Sequence, residues 1–388
     1  MNDGLVLTFN AGSSSIKFAV FAAAGAMDEL ARGQVENLGG NAVLTIRRRG
    51  EPSRRAELGA ADHAVAQKAI LTHSQDLAGA SRRVVGVGHR IVHGGAERAG
   101  PQVLDDAAMA ALAQLNPLAP LHQPHNLAAV EAARRTFPGA VQVGCFDTAF
   151  HRGHAFVEDA FALPREYYDR GIRRYGFHGV SYQFIAGELA RIAPEIAHGR
   201  IVVAHLGNGA SMCAIRDGRS IASTMGFSTL DGLAMGTRSG QIDPGVLLYL
   251  LQQDGMNAGQ LSDLLYRKSG LLGLSGFSND MRTLEASPEP SAREAVDYFI
   301  HRIRRELGSL VAVLGGLDAL VFTGGIGEHS SHVRAGVCRD FEWLGISLDA
   351  EGNKEDASDI ASGKVRVMVV PTDEERVIAR AVQAALVD

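Results

Sequence analysis

Apolar and polar positions along the chain fall into short apolar runs that break into polar, glycine-bearing turns and alternate with helical periodicities. Leu5 to Phe9 is an apolar run, Asn10 to Ser15 is a polar turn around Gly12, and Ile16 to Phe21 alternates as a second strand. The stretch from Arg200 to Gly245 opens in the same way. Ile201 to Val203 runs into a glycine-rich turn, His205 to Ser211, and Met212 to Ile215 leaves it. Laying Gly12 on Gly209 sets Leu5-Val6 against Val202-Val203, Ser14 against Ser211, and Ile16 and Phe18 against Cys213 and Ile215. The pattern predicts two halves built on one plan. Lacking a Cβ, Gly207 and Gly209 could take left-handed angles and bring backbone N–H groups close to an anion.

Between these stretches the pattern predicts a third strand (Ala42 to Arg47), a helix (Ala61 to Ala78), a buried strand (Val84 to Ile91) ending at His93-Gly94-Gly95, and a helix from Asp105 to Gln114. A proline-punctuated loop, Asn116 to Asn126, starts the next helix near Asn126, and the strand Val141 to Phe146 delivers Asp147 at its C-terminal end. Helices follow at Ser181 to Ile192, Pro244 to Gln253, Ala258 to Tyr266 and Arg293 to Leu314. Ala319 to Phe322 is a strand running into the glycine turn Thr323 to Glu328, and Val365 to Val370 hands over to an acidic-started C-terminal helix. Strands alternating with helices make an α/β protein with polar residues at its strand ends, where such sheets bind ligands. The domain break is expected at 150–155, giving domains 1–150 and 151–373 with the helix 374–388 packing back on the first.

Composition narrows the function. At 388 residues the chain is long for one core, and its 46% hydrophobic and 21% charged residues suit a globular protein. A net charge of −5 gives no electrostatic reason to expect nucleic acid or an anionic membrane. The basic run Arg47-Arg48-Arg49 with Arg54-Arg55 reads as a solvated hairpin tip. Cys145, Cys213 and Cys338 form no CxxC pair, which fits a reducing compartment, and Cys145 and Cys213, within apolar strands, read as inert. Met1 to Gly4 lead into a strand without the regions of a signal peptide, so a cytoplasmic location is expected.

Four glycine turns follow strands, near residues 12, 94, 207 and 325, without a Walker sequence, and the Gly-x-Gly pairs at 86/88, 207/209 and 325/327 lack the third glycine of a dinucleotide fingerprint. The histidine pairs 89/93, 122/125 and 151/154 lack the partners of a zinc site. Lys17, Arg90, His122, Asp147, His178, Arg238 and Glu374 fall in loops or at strand termini. Several cationic donors with two carboxylates suit a phosphorylated, magnesium-bearing substrate, whereas surface ion pairs are the plain alternative for Arg90 and Arg238.

Nine segments identify a family: NAGSSSIK (10–17), HRIVHGG (89–95), LAPLHQPHN (118–126), FDTAFH (146–151), RRYGFHGVS (173–181), AHLGNGAS (204–211), MGTRSGQIDPG (235–245), FTGGIGEHS (322–330) and PTDEE (371–375) resemble, in order and across essentially the whole chain, the signature of acetate kinases. The resemblance implies the actin-like fold of duplicated RNase H-like domains with an interdomain active-site cleft, a homodimer, and reversible transfer of the ATP γ-phosphoryl group to acetate. It implies Mg²⁺, or Mn²⁺ in its place, at Asn10 and Glu374, and Lys17 on the nucleotide phosphates. Arg90 resembles the substrate-carboxylate contact, with His122 beside it and Val92, Leu121 and Phe177 around the methyl group. Asp147, His178 and Arg238 resemble the catalytic residues. The nucleotide positions are His205, Leu206, Gly207, Asn208 and Gly209, then Asp280, Met281 and Arg282, then Gly325, Ile326, Gly327, Glu328 and His329.

Some positions depart from the family pattern. Thr229 stands where proline is usual, Gln241 where aspartate is usual, and Val180 and Tyr182 where threonine and histidine are usual. Thr229 keeps propionate and butyrate open as acceptors. A nucleotide-binding actin-like protein without enzymatic activity is the alternative of another class.

Overall fold

The computed structural model describes residues 4–12, 15–78 and 82–387; Met1 to Asp3 and the motif residues Ser13 and Ser14 lie outside the described residues. The chain divides into two compact units, Met1–Arg152 with Asp373–Asp388, and Gly153–Thr372.

In the first unit the strands are β1 (Gly4–Ala11), β2 (Ile16–Ala22), β3 (Glu29–Glu36), β4 (Asn41–Arg48), β5 (Arg54–Ala60), β6 (Arg83–Ile91), β7 (Gln102–Val103) and β8 (Val141–Phe146). They form one sheet in the order β5-β4-β3-β2-β1-β6-β8-β7. The second unit holds β9 (Arg200–Leu206), β10 (Ala210–Arg216), β11 (Arg219–Ser223), β12 (Ala319–Thr323) and β13 (Arg366–Val369), in the order β11-β10-β9-β12-β13. The middle of the first sheet, β3-β2-β1-β6-β8, repeats that order. In both units three strands run antiparallel, the innermost of them pairs in parallel with a fourth, and the fourth pairs in parallel with a fifth. This is the duplicated RNase H-like plan.

The residue alignment read from the sequence is shifted, however. Ala11 pairs with Ile16 across the first turn and Leu206 with Ala210 across the second. The first loop is therefore longer, and no single offset matches both strands. β3 and β5 escape the sequence pattern for physical reasons. In β3 the inward row is Ala31, Gly33, Val35, and a Cβ at Gly33 would lie 2.6 Å from the Phe18 ring, so the alternation is hidden by a glycine. β5 is an edge strand with no buried residue.

Both faces of the first sheet are covered. Leu5, Leu7 and Phe9 point into one core with Ile70 and Ala133 from the helices His63–Ala78 and Gln123–Thr136; Val6 and Phe21 point into another with Ala379 and Val382 of the C-terminal helix Glu374–Ala385. That helix packs closely because β6 carries glycines. A Cβ at Gly86 would come within 2.3 Å of Val382, and one at Gly88 within 2.3 Å of Ile378. The 86/88 pair is thus a packing seam. The three cysteines are free and buried, and burial pushes the Cys145 and Cys213 thiols up to about 12, which keeps them inert.

Candidate active site

In the first unit β1, β6 and β8 are parallel neighbours, so their C-terminal ends present Asn10, Arg90 and Asp147 side by side. Arg90 donates from Nε and Nη2 to the two carboxylate oxygens of Asp147, at 2.8 and 2.6 Å, and from Nη1 to Asn10 Oδ1 at 2.9 Å. A guanidinium has five N–H donors, so two are not used by these bonds, one on Nη2 and one on Nη1, the nitrogen that also faces Glu374. Burial pulls the Arg90 pKa down, but the charges of Asp147 and Glu374 outweigh it and leave it raised, so the side chain is a permanent cation.

The C-terminal helix closes the cluster. Asn10 Nδ2 donates to Glu374 Oε2 at 2.7 Å and to Glu375 Oε1 at 3.0 Å, and Glu374 Oε2 lies 3.4 Å from Arg90 Nη1. Glu375 is buried, and burial, then the charge of Glu374, push its carboxyl up, partly countered by Lys17. Lys17 is exposed on β2, directly opposite Asn10. An amide oxygen, adjacent carboxylates and a repulsive pair that a cation would relieve fit a hard divalent ion. Among the described residues no group of three or more His, Cys, Asp and Glu side chains could cage a metal. Mg²⁺ needs no such cage, since substrate phosphates and water complete its shell.

His122 and Leu121 stand where the chain enters the helix Gln123–Thr136; both are partly exposed, and His122 is its N-cap residue. Val92, just beyond β6, is buried and tied to that helix by its N–H bond to Asn126 Oδ1.

The second unit assembles its own set. His178 adopts a left-handed backbone (φ 57°) before the helix Gly179–Ile192 and pairs through Nδ1 with Ser211 Oγ at 2.8 Å. Its ring lies 4.4 Å from that of His205, whose Nδ1 meets Ser181 Oγ at 2.9 Å. The left-handed angles expected at Gly207 and Gly209 are not used. Close approach explains Gly209 instead: a Cβ there would lie 3.3 Å from His178 Nε2 and 3.7 Å from Arg238 Nη1. The glycine turn, His178 and Arg238 therefore meet. Gly236 donates to Asn208 O at 3.0 Å, and a Cβ on it would strike Asn208 Oδ1 at 2.0 Å, so the Arg238 loop lies flat on the turn. Arg238 Nη1 donates to Thr229 O at 3.3 Å, a bond to the backbone that the Thr229 departure leaves in place. Gln241 accepts from the buried Arg302 at 2.6 Å.

The other segments expected at the nucleotide lie around this turn. Asn279 donates to Asn208 at 3.1 Å, bringing Asp280, Met281 and Arg282 alongside, with Asp280 capping the helix Met281–Ala286. β12 runs parallel to β9 and ends at the helix Gly324–His329, which contains Gly325, Ile326, Gly327, Glu328 and His329. Gly324 (φ 77°) approaches Leu206 too closely for any side chain. Phe177 is buried in the same unit.

Two supports escape sequence reading. Tyr182 pairs with Ser211, extending the His178 bond. Arg334 is wholly buried and donates to the carbonyls of Gly327 and Glu328, to Asn353 and to Asp356, which braces the turn 325–329. Nothing in the order of residues marks Arg334, because its role depends on acceptors brought in from other turns.

Comparison with known proteins gives the family. The model of the Acetokinase family matches residues 5–380. The chain belongs to the acetokinase family. It is 52% identical over 395 residues to the acetate kinase of Methylocella silvestris, covering 98% of each chain. Among solved structures, the acetate kinase of Porphyromonas gingivalis superposes with a TM-score of 0.87 at 37% identity, covering 99% of this chain and 100% of that one. A propionate kinase from Francisella tularensis superposes with a TM-score of 0.88 at 33% identity, covering 98% and 99%. Membership accounts for the nine motifs and for the duplicated sheet. Among the described residues no helix is long and apolar enough to cross a membrane.

Proposed function

We propose that this member of the family is an acetate kinase, a phosphotransferase that moves the γ-phosphoryl group of ATP reversibly onto the acetate carboxylate to give acetyl phosphate and ADP. The observation that carries the reading is Arg90, a permanent cation held by Asp147 and Asn10 at parallel strand ends, in a chain 52% identical to the acetate kinase of Methylocella silvestris.

A carboxyl group with a pKa of about 4 is ionised at pH 7, so the acceptor needs no general base. Repulsion between an anionic nucleophile and an anionic phosphate is the obstacle. Arg90 neutralises the acceptor, with His122 supporting it, while Val92, Leu121 and Phe177 take the methyl group. His178 and Arg238 stabilise charge on the phosphoryl group in a direct, in-line transfer. Lys17 neutralises nucleotide phosphates, and the turns at 205–209, 280–282 and 325–329 hold the nucleotide. Asn10 and Glu374 would hold Mg²⁺, or Mn²⁺, which when bound neutralises phosphate oxygens. Asp147 has no proton to take from the acceptor; it works as a carboxylate that fixes Arg90.

Hydroxylamine trapping of acyl phosphate with ATP, Mg²⁺ and acetate, propionate or butyrate tests the reading. Acetate is expected to give the highest kcat/KM. A higher value for propionate or butyrate assigns the longer acid, and ATP binding without any hydroxamate makes the chain a nucleotide-binding protein.

The homodimer implied by resemblance has a supporting surface. The helix Pro244–Gln252 is rich in apolar residues and has none buried, with Leu248 at 54% and Tyr249 at 59% exposure. We assign it to a face covered by a second copy. Sedimentation velocity is expected to show a dimer for the native chain and a monomer for Leu248→Glu/Tyr249→Glu; a native monomer contradicts this. Three free, buried cysteines suit the reducing cytoplasm, which cell fractionation tests.

A further inference from the structure

The segment that follows β6 is held in an unusual way. Four consecutive backbone amides each donate to a side chain: Val92 to Asn126 Oδ1 at 3.0 Å, His93 to Gln123 Oε1 at 3.2 Å, Gly94 to Thr148 Oγ1 at 3.0 Å, and Gly95 to His93 Nδ1 at 3.0 Å. Gln123 returns a second bond, Nε2 to His93 O at 3.0 Å, so its carboxamide pairs with both backbone groups of one residue as a neighbouring strand would. Gln123 and Asn126 are spaced three apart in the first turn of one helix, on one face, and both are buried. Gly94 has no slack either, since a Cβ there would meet Phe146 at 2.8 Å.

We propose that Gln123 and Asn126 are positioning residues that hold Val92 rigidly against the acid's alkyl group and thereby set its chain-length preference. The proposal rests on the reading of Val92 as an acyl contact. A methylene in an apolar pocket discriminates by about 10- to 200-fold, but only where the wall does not yield to the longer chain. The sheet cannot stiffen this wall, because these amides lie past the end of the β6–β8 ladder. Buried side-chain acceptors supply the stiffness, and removing one leaves a buried N–H unpaired, which favours local opening.

The test compares kcat/KM for acetate, propionate and butyrate in the full chain and in Asn126→Ala, Asn126→Asp and Gln123→Met, with amide hydrogen exchange measured at residues 92–95. Asn126→Asp keeps the acceptor, and Gln123→Met keeps the volume while losing both bonds to His93 and a longer one from Nε2 to Leu112 O at 3.4 Å. Asn126→Ala and Gln123→Met are expected to raise the KM for acetate about 10-fold, to shrink the acetate-over-butyrate preference about 10-fold, to leave the KM for ATP unchanged and to speed exchange at 92–95. Asn126→Asp is expected to retain the preference and the slow exchange. An unchanged preference in variants whose exchange is faster overturns the proposal, as does a shifted preference with exchange unchanged. A native chain that makes no acyl phosphate from any of the three acids overturns the functional reading underneath, while exchange still reports on the clamp.

Discussion

Arg238→Ala is expected to lower kcat by about 10³-fold or more while the Kd for nucleotide barely moves. The size follows from the proposed role, in which the guanidinium meets charge that exists only while the phosphoryl group is in transfer. The selectivity follows from how it is held. Nη1 donates to the carbonyl of Thr229 at 3.3 Å and lies 3.6 Å from the thioether of Met235, which sets the guanidinium against its own loop. The loop keeps its shape without the side chain, because it is pinned by backbone bonds from Gly236 to Asn208, from Leu271 to Met235 and from Leu272 to Gly236. Arg238→Lys keeps the charge but loses the planar fork, and its rate is expected to fall between the two. Single-turnover kinetics beside equilibrium nucleotide binding check both parts. A parallel loss of affinity and rate would mean that Arg238 binds the ground state.

Arg90→Ala has a different signature. It removes the counter-charge of Asp147, which is 1% exposed, and of Glu374, so a stability loss of about 3–5 kcal/mol is expected together with a rise of roughly 100-fold in the KM for the acid. The two effects separate in the double substitution Arg90→Ala/Asp147→Asn, which leaves no stranded carboxylate at 147. Its thermal midpoint is expected to recover much of the loss, while the KM for the acid stays high. If the acid's KM recovers along with stability, Arg90 is a structural ion pair and its carboxylate-binding role is wrong.

Much of this was legible in the residues, and particular residues show why. Arg90 and Asp147 could be placed at strand ends because apolar runs deliver polar residues there, and Asn10 came from the family resemblance; that parallel neighbours align the three is seen only in the structure. The nucleotide turn could be read as a glycine turn after a strand, but the reason for Gly209 could not. Its constraint is the nearness of His178 and Arg238, from segments distant in sequence, not a backbone angle. The same limit hid Glu375, which looks like ordinary helix-start acidity until burial beside Glu374 raises its pKa. It also hid β3, whose inward row contains a glycine, and β5, an edge strand that buries no residue fully and sets only Leu58 against the core. Local pattern reports what one element buries; it does not report what a distant element brings to it.

The central claim is that Arg90 and Arg238 serve a single step, lowering the repulsion between two anions. The most direct test is a double-mutant cycle on the rate of acyl-phosphate formation, with Arg90→Ala, Arg238→Ala and the pair. If both cations act on one barrier, the double variant is expected to lose far less than the product of the two single losses. Losses that multiply in full would show the two arginines acting independently and would contradict the account.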